Sequence, residues 1–445
     1  MPPRARELPS RQLALHSKYW LQAAAPPQAG LLPRGEPDMR ISVVTLAALL
    51  GTLAGAAAPA AAAGPYAITA TAVSQDGDLV RTEYTVSASP NPLDRFKMVR
   101  LARGGQGAHL QGSLLLLPPL GTTFNLYEQR DPGGAPGSSI AEFFAELGYD
   151  VYGYSPRYEG ISAGLCEAGV IDCSVMKTWG LQSLVDDVTF VRSQIEVLHP
   201  GTRIVIGGVS LGCITSIAVV NAHPADYDGV VTWEGMLYSA NPQVRALDQG
   251  YCAAIQAQLA ANVLYDDIGD NLLKQLADLA RVTPAGITPV PVAPPGLTNH
   301  QALVAFVSVT APGPVTETVP NEVLLSGSVA QNRLFFADEP RLYENISRFA
   351  SYSPYAMVAD IVCSIAGVQN QFTNNLGSFT GPLLAIGGGH AFGAYMSDQI
   401  GLFGSASKQF LLQPEFGHID HFATAEHRLY VEYPILNFLT TVFGR

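Results

Sequence analysis

Apolar and polar residues alternate over 66–73 (YAITATAV), 79–88 (LVRTEYTVSA) and 96–102 (FKMVRLA), with turn signals at Asp76-Gly77 and Pro90-Asn91-Pro92 between them. A period of two sends successive side chains to opposite faces, so these stretches predict antiparallel strands at a sheet edge. The run Ser113–Leu117 (SLLLL) breaks that alternation and is stopped by Pro118-Pro119. A continuous apolar run fits a strand buried on both faces.

From there strands and helices alternate. The spacing predicts a helix over 138–147, with Ser138 or Ser139 as cap and Gly148 as terminator, and then a strand over 150–154. An amphipathic helix follows over 179–198, closed by His199-Pro200-Gly201, then a strand over 203–206, a helix over 211–222 and a strand over 229–234. Repeated units of this kind predict an α/β fold, a mostly parallel sheet with helices on both faces and a site beyond the carboxyl ends of the strands. The rhythm breaks between 235 and 380. That stretch has helical patterns at 243–258, 270–281, 342–350 and 355–367 and a Pro/Val/Thr-rich piece at 283–295, and it reads as a largely helical inserted cap. Strands over 382–386 and 408–413 and a closing helix over 423–441 resume the pattern. The expected organisation is an upstream extension and secretory signal (1–63), the first part of the core (64–234), the cap (235–380) and the second part of the core (381–445).

Composition supports a large buried core: of 445 residues, 48% are hydrophobic and 14% charged, which argues against disorder. Net charge is −12, and the first 63 residues carry six Lys/Arg against three Asp/Glu, so the acidity lies in the remainder. Such a surface repels nucleic acid and anionic membranes. Met39-Arg40 precedes an uncharged run at 41–63 that ends in alanines. This predicts a signal peptide starting at Met39, cleaved near Ala63, and export to the periplasm or medium. The alternative is an uncleaved membrane anchor over the same run, which is long enough to span a bilayer, although Pro59 and the small-residue tail favour cleavage. Export permits disulfides, and five cysteines leave at least one unpaired. The spacing suggests Cys166 with Cys173, across the Gly-rich GLCEAGVIDCS, and Cys252 with Cys363, leaving Cys213 as the buried free thiol.

Candidate chemistry centres on GGVSLGC at 207–213, where an apolar strand turns abruptly into an apolar helix. Ser210 between Gly208 and Gly212 matches the G-x-S-x-G nucleophile elbow, and the strand, turn and helix context is what gives the match meaning. The glycines admit a turn too tight for side chains, and the strain lifts the serine hydroxyl out of the sheet. The helix start aims backbone amides at an oxyanion forming beside Ser210.

With these features in this order, the chain resembles the α/β-hydrolase family from Phe96 to Phe443, the cap excluded. The resemblance rests on SLLLL and its loop, GYDVYGYSPRYEG, GGVSLG, VVTWEG, PLLAIGGG and PEFGHIDHF before a final helix. It implies a nucleophile, acid and histidine in that chain order. His418, after a strand and Gly417, fits the base; His421 and His427 are rivals, one a turn further on and one expected on the final helix. For the acid, the strand at 382–386 runs into GGGHAFGAYM without a carboxylate until Asp398. Glu234 stands at the other placement known in the family, after the preceding strand, so Glu234 and Asp398 are the alternatives. The oxyanion hole would use the amide of Leu211 and that of Leu120, with Gly121 second, because Pro118 and Pro119 lack an N–H. Ser155 and Arg157 in GYSPRYEGIS resemble the family's Asp-x-Arg-Gly-x-Gly stretch and read as structural.

The resemblance therefore implies an exported serine hydrolase of carboxylic esters, lipase- or esterase-like, acting on a small-molecule ester with a hydrophobic acyl or alcohol group. A peptidase or amidase on the same scaffold, or a non-catalytic binding protein of the same fold, is the alternative. A serine rather than an aspartate at 210 disfavours dehalogenase and epoxide-hydrolase chemistry. No cofactor is expected. The HIDH stretch at 418–421 lacks the companions of a zinc set, and Gly387, Gly388 and Gly389 lack the Gly-Lys-Ser/Thr of a phosphate loop.

Overall fold

Three antiparallel strands are the first described elements in the computed structural model: β1 (Ala67–Asp76), β2 (Leu79–Ser87) and β3 (Arg95–Arg103). The structure describes residues 66–444 apart from 105–110, 163, 267, 292, 310–316 and 350–351. The signal sequence expected within 1–63, and its cleavage point, lie outside the described residues.

β3 pairs antiparallel with β5 (Asp150–Ser155), and from there the sheet is parallel. β4 (Ser113–Leu117) lies between β5 and β6 (Ile204–Val209), then come β7 (Gly229–Trp233), β8 (Leu383–Gly388) and β9 (Lys408–Gln413). The order across the sheet is β1-β2-β3-β5-β4-β6-β7-β8-β9. All five residues of β4 are buried, and its pleat divides them: Leu115 and Leu117 enter one core cluster, Leu114 and Leu116 the other. Two-sided burial is what the uninterrupted apolar run specified.

Helices cover both faces. α1 (Ile140–Glu146) begins in a reciprocal capping box between Ser139 and Glu142. α2 (Leu181–Leu198) buries Leu184, Val185, Val188, Val191 and Ile195, a single stripe at helical spacing. It starts at Leu181, not 179, because Gly180 is the extended N-cap. α3 (Leu211–Ala222) is buried nearly all round, on the same side as α2.

Between β7 and β8 the chain makes α4 (Pro242–Ala260), α5 (Ile268–Val282), α6 (Asn299–Ser308), α7 (Glu339–Ser347) and α8 (Tyr355–Ile365). The packing divides them. α4 and α8 contribute Val244, Cys252, Met357 and Val362 to the cluster of α2 and α3, whereas α5, α6 and α7 form a cluster of their own around Leu273, Leu303 and Ile346. Cys252–Cys363 ties α4 to α8 and Cys166–Cys173 closes the Gly-rich loop, while Cys213 is free and buried. The first bridge spans 111 positions and the second seven, so constraint of the unfolded chain makes the first the stronger staple, worth on the order of 4–5 kcal/mol.

The end of the chain departs from the continuous helix expected at 423–441. A short turn, α10 (Asp420–Ala423), follows α9 (Met396–Leu402); Thr424 is extended, a π-turn runs over Arg428–Glu432, and α11 is Tyr433–Phe443. The π-turn passes directly into α11, where Pro434 in the first turn has no N–H to donate to the helical ladder. Among the described residues no helix is long and apolar enough to cross a membrane.

Candidate active site

Ser210 stands between β6 and α3 at φ 55° and ψ −121°, a conformation non-glycine residues rarely hold. Close packing enforces it. A Cβ on Gly208 would meet the Leu117 carbonyl oxygen at 2.3 Å, and one on Gly212 would meet the same oxygen at 1.9 Å. The elbow is therefore wedged against the end of β4. The Tyr127 hydroxyl, buried between them, donates to the Leu117 carbonyl at 2.7 Å and accepts from the Val209 amide at 3.3 Å.

Three side chains from distant positions align across the carboxyl end of the sheet. His418 Nε2 lies 2.9 Å from Ser210 Oγ, and His418 Nδ1 lies 3.2 Å from Glu234 Oε2. Glu234 directly follows β7 and also takes a positive φ of 51°. Its amide donates to the Ile386 carbonyl at 3.0 Å, which turns the side chain over β8. There the carboxylate accepts from the backbone amide of Gly388, and the amides of Phe392 and Gly393 lower its pKa in turn. The His418 loop is held by its own amide donating to the Val323 carbonyl at 2.9 Å, and by Asp420 accepting from the amides of Gly417 (2.6 Å) and Ser326 (2.8 Å). The Phe392 ring lies 5.3 Å from the imidazole, centroid to centroid.

Burial sets the electrostatics. It pushes the Glu234 carboxyl well above its ordinary value, opposed by the three amides. It also holds His418 below the ordinary imidazole value, opposed by the negative charge of Glu322. Glu322, in the segment between α6 and α7, places Oε1 3.7 Å from His418 Nδ1. Sequence reasoning missed this residue. Its only signal was a carboxylate set into the apolar TVPNEVLL, where a buried charge requires partners.

The other candidates separate clearly. Asp398, in the first turn of α9, accepts from Ser239 Oγ at 3.1 Å and the Ala240 amide at 2.7 Å and does not join His418. His421 is buried against Trp233 and Phe416, with Nε2 3.1 Å from the Gln413 amide group, and burial pushes it down to about 3. His427 precedes α11 and bridges Glu432 (2.6 Å) and Asp131 (2.8 Å). Arg157 is buried in ion pairs with Asp94 and Asp187, and Ser155 Oγ accepts from the Phe124 amide. Among the described residues no group of three or more His, Cys, Asp or Glu is arranged to hold a metal ion.

Leu211 supplies the first amide of α3 and Leu120 lies in the loop after β4. Among the described residues neither amide is spent on another acceptor. Leu120 and Ser210 both face a cavity of about 120 Å³, also lined by Leu273, Phe306, Ile346 and Phe349 of the segment between β7 and β8.

No sequence-family model matches the chain, and no curated protein matches it in sequence. In three dimensions it is similar to a candidate lipase from Sulfolobus solfataricus, with a TM-score of 0.59 at 14% identity over 84% of this chain and 99% of that one. It is more loosely similar to a thermostable carboxyl esterase from Bacillus coagulans (TM-score 0.49, 12% identity, 82% of this chain and 99% of that one). A soluble variant of the monoglyceride lipase of Saccharomyces cerevisiae gives a TM-score of 0.46 at 14% identity, over 86% of this chain and 99% of that one. The strand order, with three antiparallel strands leading into six parallel ones, together with the likeness to the Sulfolobus protein, shows that this chain has the α/β-hydrolase fold.

Proposed function

We propose that this chain is a serine hydrolase of carboxylic esters, with Ser210 as nucleophile, His418 as general base and Glu234 as the acid that orients the imidazole. The reading is carried by the Ser210 Oγ, His418 and Glu234 contacts of 2.9 and 3.2 Å on a serine held at positive φ. His418 Nε2 takes the hydroxyl proton as Oγ attacks the ester carbonyl, and returns it to the departing alcohol. The Leu211 and Leu120 amides receive the oxyanion, and water then attacks the acyl-enzyme by the same route. The apolar wall of the cavity supports a hydrophobic acyl or alcohol group. Two disulfides support export to an oxidising compartment.

The test is fluorophosphonate labelling of the full chain with peptide mapping, alongside hydrolysis of p-nitrophenyl butyrate. Labelling at Ser210 that disappears in His418→Ala is expected. A folded wild type that neither labels nor hydrolyses esters of any chain length would overturn the reading in favour of a binding protein.

Two further outcomes follow from the same geometry. The base must be neutral to accept a proton, so kcat/KM rises as pH rises through the His418 pKa. Burial holds that pKa below 6.5, so the acid limb of the profile is expected below pH 6.5. Ile346→Trp reduces the cavity that Ser210 and Ile346 both line and is expected to lower kcat/KM for octanoate esters by about tenfold or more relative to acetate esters, as about one to two kcal/mol of lost apolar contact predicts. An unchanged chain-length profile would place the acyl group elsewhere.

A further inference from the structure

His418 meets two carboxylates, and they come from different parts of the chain. Glu234 Oε2, at the end of β7, is 3.2 Å from Nδ1, and Glu322 Oε1, from the inserted segment, is 3.7 Å from the same nitrogen. Both side chains are buried, with 0% and 5% exposure. A buried carboxylate needs a reason to be there. Each one spends its other oxygen on fixed donors. Glu234 Oε1 accepts from the Gly388 amide. Glu322 Oε2 accepts from the Thr318 amide at 2.7 Å, the Thr318 hydroxyl at 3.0 Å and the Val319 amide at 3.3 Å. The remaining oxygen of each is left to face the imidazole.

The backbone around Glu322 is also fastened to the histidine loop. His418 and Ile419 donate their amides to the carbonyls of Val323 and Leu324, both at 2.9 Å, and Val323 donates to the His390 carbonyl at 3.0 Å. The second carboxylate is thus held at a set distance from the ring by the same two-stranded contact that positions the ring itself.

We propose that Glu322 is a second positioning carboxylate for His418, so that the insertion as well as the core supplies negative charge to the imidazolium formed when Ser210 is deprotonated. The inference rests on the reading of Ser210 and His418 as a hydrolytic pair. When the Ser210 proton reaches Nε2, the Nδ1–H stays on the ring, with Glu234 as its hydrogen-bond acceptor and Glu322 as the adjacent charge. Burial lowers the basicity of His418 and Glu322 partly restores it. The other titratable groups around this cluster are Asp420 and His421 from the turn after His418, His390 beside Asp420, and Asp248 of α4, which lies within the field of Glu322.

The experiment compares the full-length wild type with Glu322→Gln, Glu234→Gln and the double variant, measuring kcat and KM for p-nitrophenyl butyrate across pH. Glu322→Gln is expected to lower kcat about tenfold, to leave KM within about twofold, and to move the acid limb of kcat/KM down by about half a pH unit or more, because a neutral amide no longer favours the imidazolium. Glu322→Asp, which keeps the charge, should recover part of that movement. Glu234→Gln should keep residual activity that the double variant loses by about a further tenfold, since one carboxylate still faces the ring. A Glu322→Gln enzyme with wild-type kcat and an unmoved acid limb overturns the proposal, as does a double variant no worse than Glu234→Gln. Should thermal unfolding show that Glu322→Gln does not fold, Thr318→Val is decisive instead. Loss of its hydroxyl makes Glu322 less charged and must move the limb in the same direction, and an unmoved limb overturns the proposal. A wild type that neither labels nor hydrolyses esters defeats the hydrolase reading and Glu322 with it, whereas an active wild type insensitive to Glu322 defeats Glu322 alone.

Discussion

Ser210→Ala is expected to lower kcat for ester hydrolysis by about 10⁴–10⁶-fold while leaving KM within a few-fold, because it removes an atom needed only for the chemical step. His418→Ala should fall by a similar factor, and the double variant should be little worse than either, since the hydroxyl and its base act as one unit. The 2.9 Å contact between His418 Nε2 and Ser210 Oγ is the reason for expecting non-additivity. Stability should not fall with activity. Ser210 is held at φ 55°, and among the described residues its Oγ makes no bond other than that to His418. Urea unfolding of Ser210→Ala should therefore match wild type or exceed it slightly. A variant that keeps more than about a tenth of wild-type kcat would remove Ser210 from the reaction.

Gly212→Ala is expected to do what Ser210→Ala does not, lowering stability and activity together. The added methyl would lie 1.9 Å from the Leu117 carbonyl oxygen, 2.5 Å from its carbon and 3.0 Å from the Pro118 carbonyl oxygen. These are backbone atoms of a buried strand end, so relief requires moving β4 away from α3. Overpacking of this kind costs about 1–3 kcal/mol or more. The same movement carries Leu120 away from Ser210, so kcat should fall by about 10²-fold or more if Leu120 supplies an oxyanion donor. Gly250→Ala is the matched control: its Cβ meets nothing within 4 Å, and it lies inside α4. Alanine there should be neutral or stabilising by about 0.5–1 kcal/mol through helix propensity. Equal urea midpoints for Gly212→Ala and wild type would mean that the elbow is looser than its contacts state.

Much of the scaffold was legible because its elements are specified locally. SLLLL has no charge to hide, Ser139 and Glu142 close a box three residues apart, and the stripe along Leu181–Leu198 repeats at the helical period. The elbow was legible for the same reason, since Gly208, Ser210 and Gly212 encode a tight turn within five positions. Less legible were elements whose bounds depend on neighbours. The helices Asn299–Ser308 and Met396–Leu402 escaped prediction, and the expected final helix was too long because Thr424 leaves it to pair with Ala337.

The sequence by itself determined the strand and helix rhythm, the strained serine, and a short list of histidines and acids that could serve it. Those are properties of contiguous residues. Only the tertiary structure shows which carboxylates face His418, Glu234 and Glu322 but not Asp398, because a hydrogen bond between residues 184 positions apart is set by sheet order and loop direction rather than by spacing. Strand β7 lying beside β8 lets Glu234 reach over to the Gly388 amide and the imidazole, whereas the turn into α9 spends Asp398 on Ser239 and Ala240. Glu322 came into view for the same reason. Its place beside His418 follows from two backbone hydrogen bonds between segments almost a hundred residues apart, and no local pattern in TVPNEVLL encodes them.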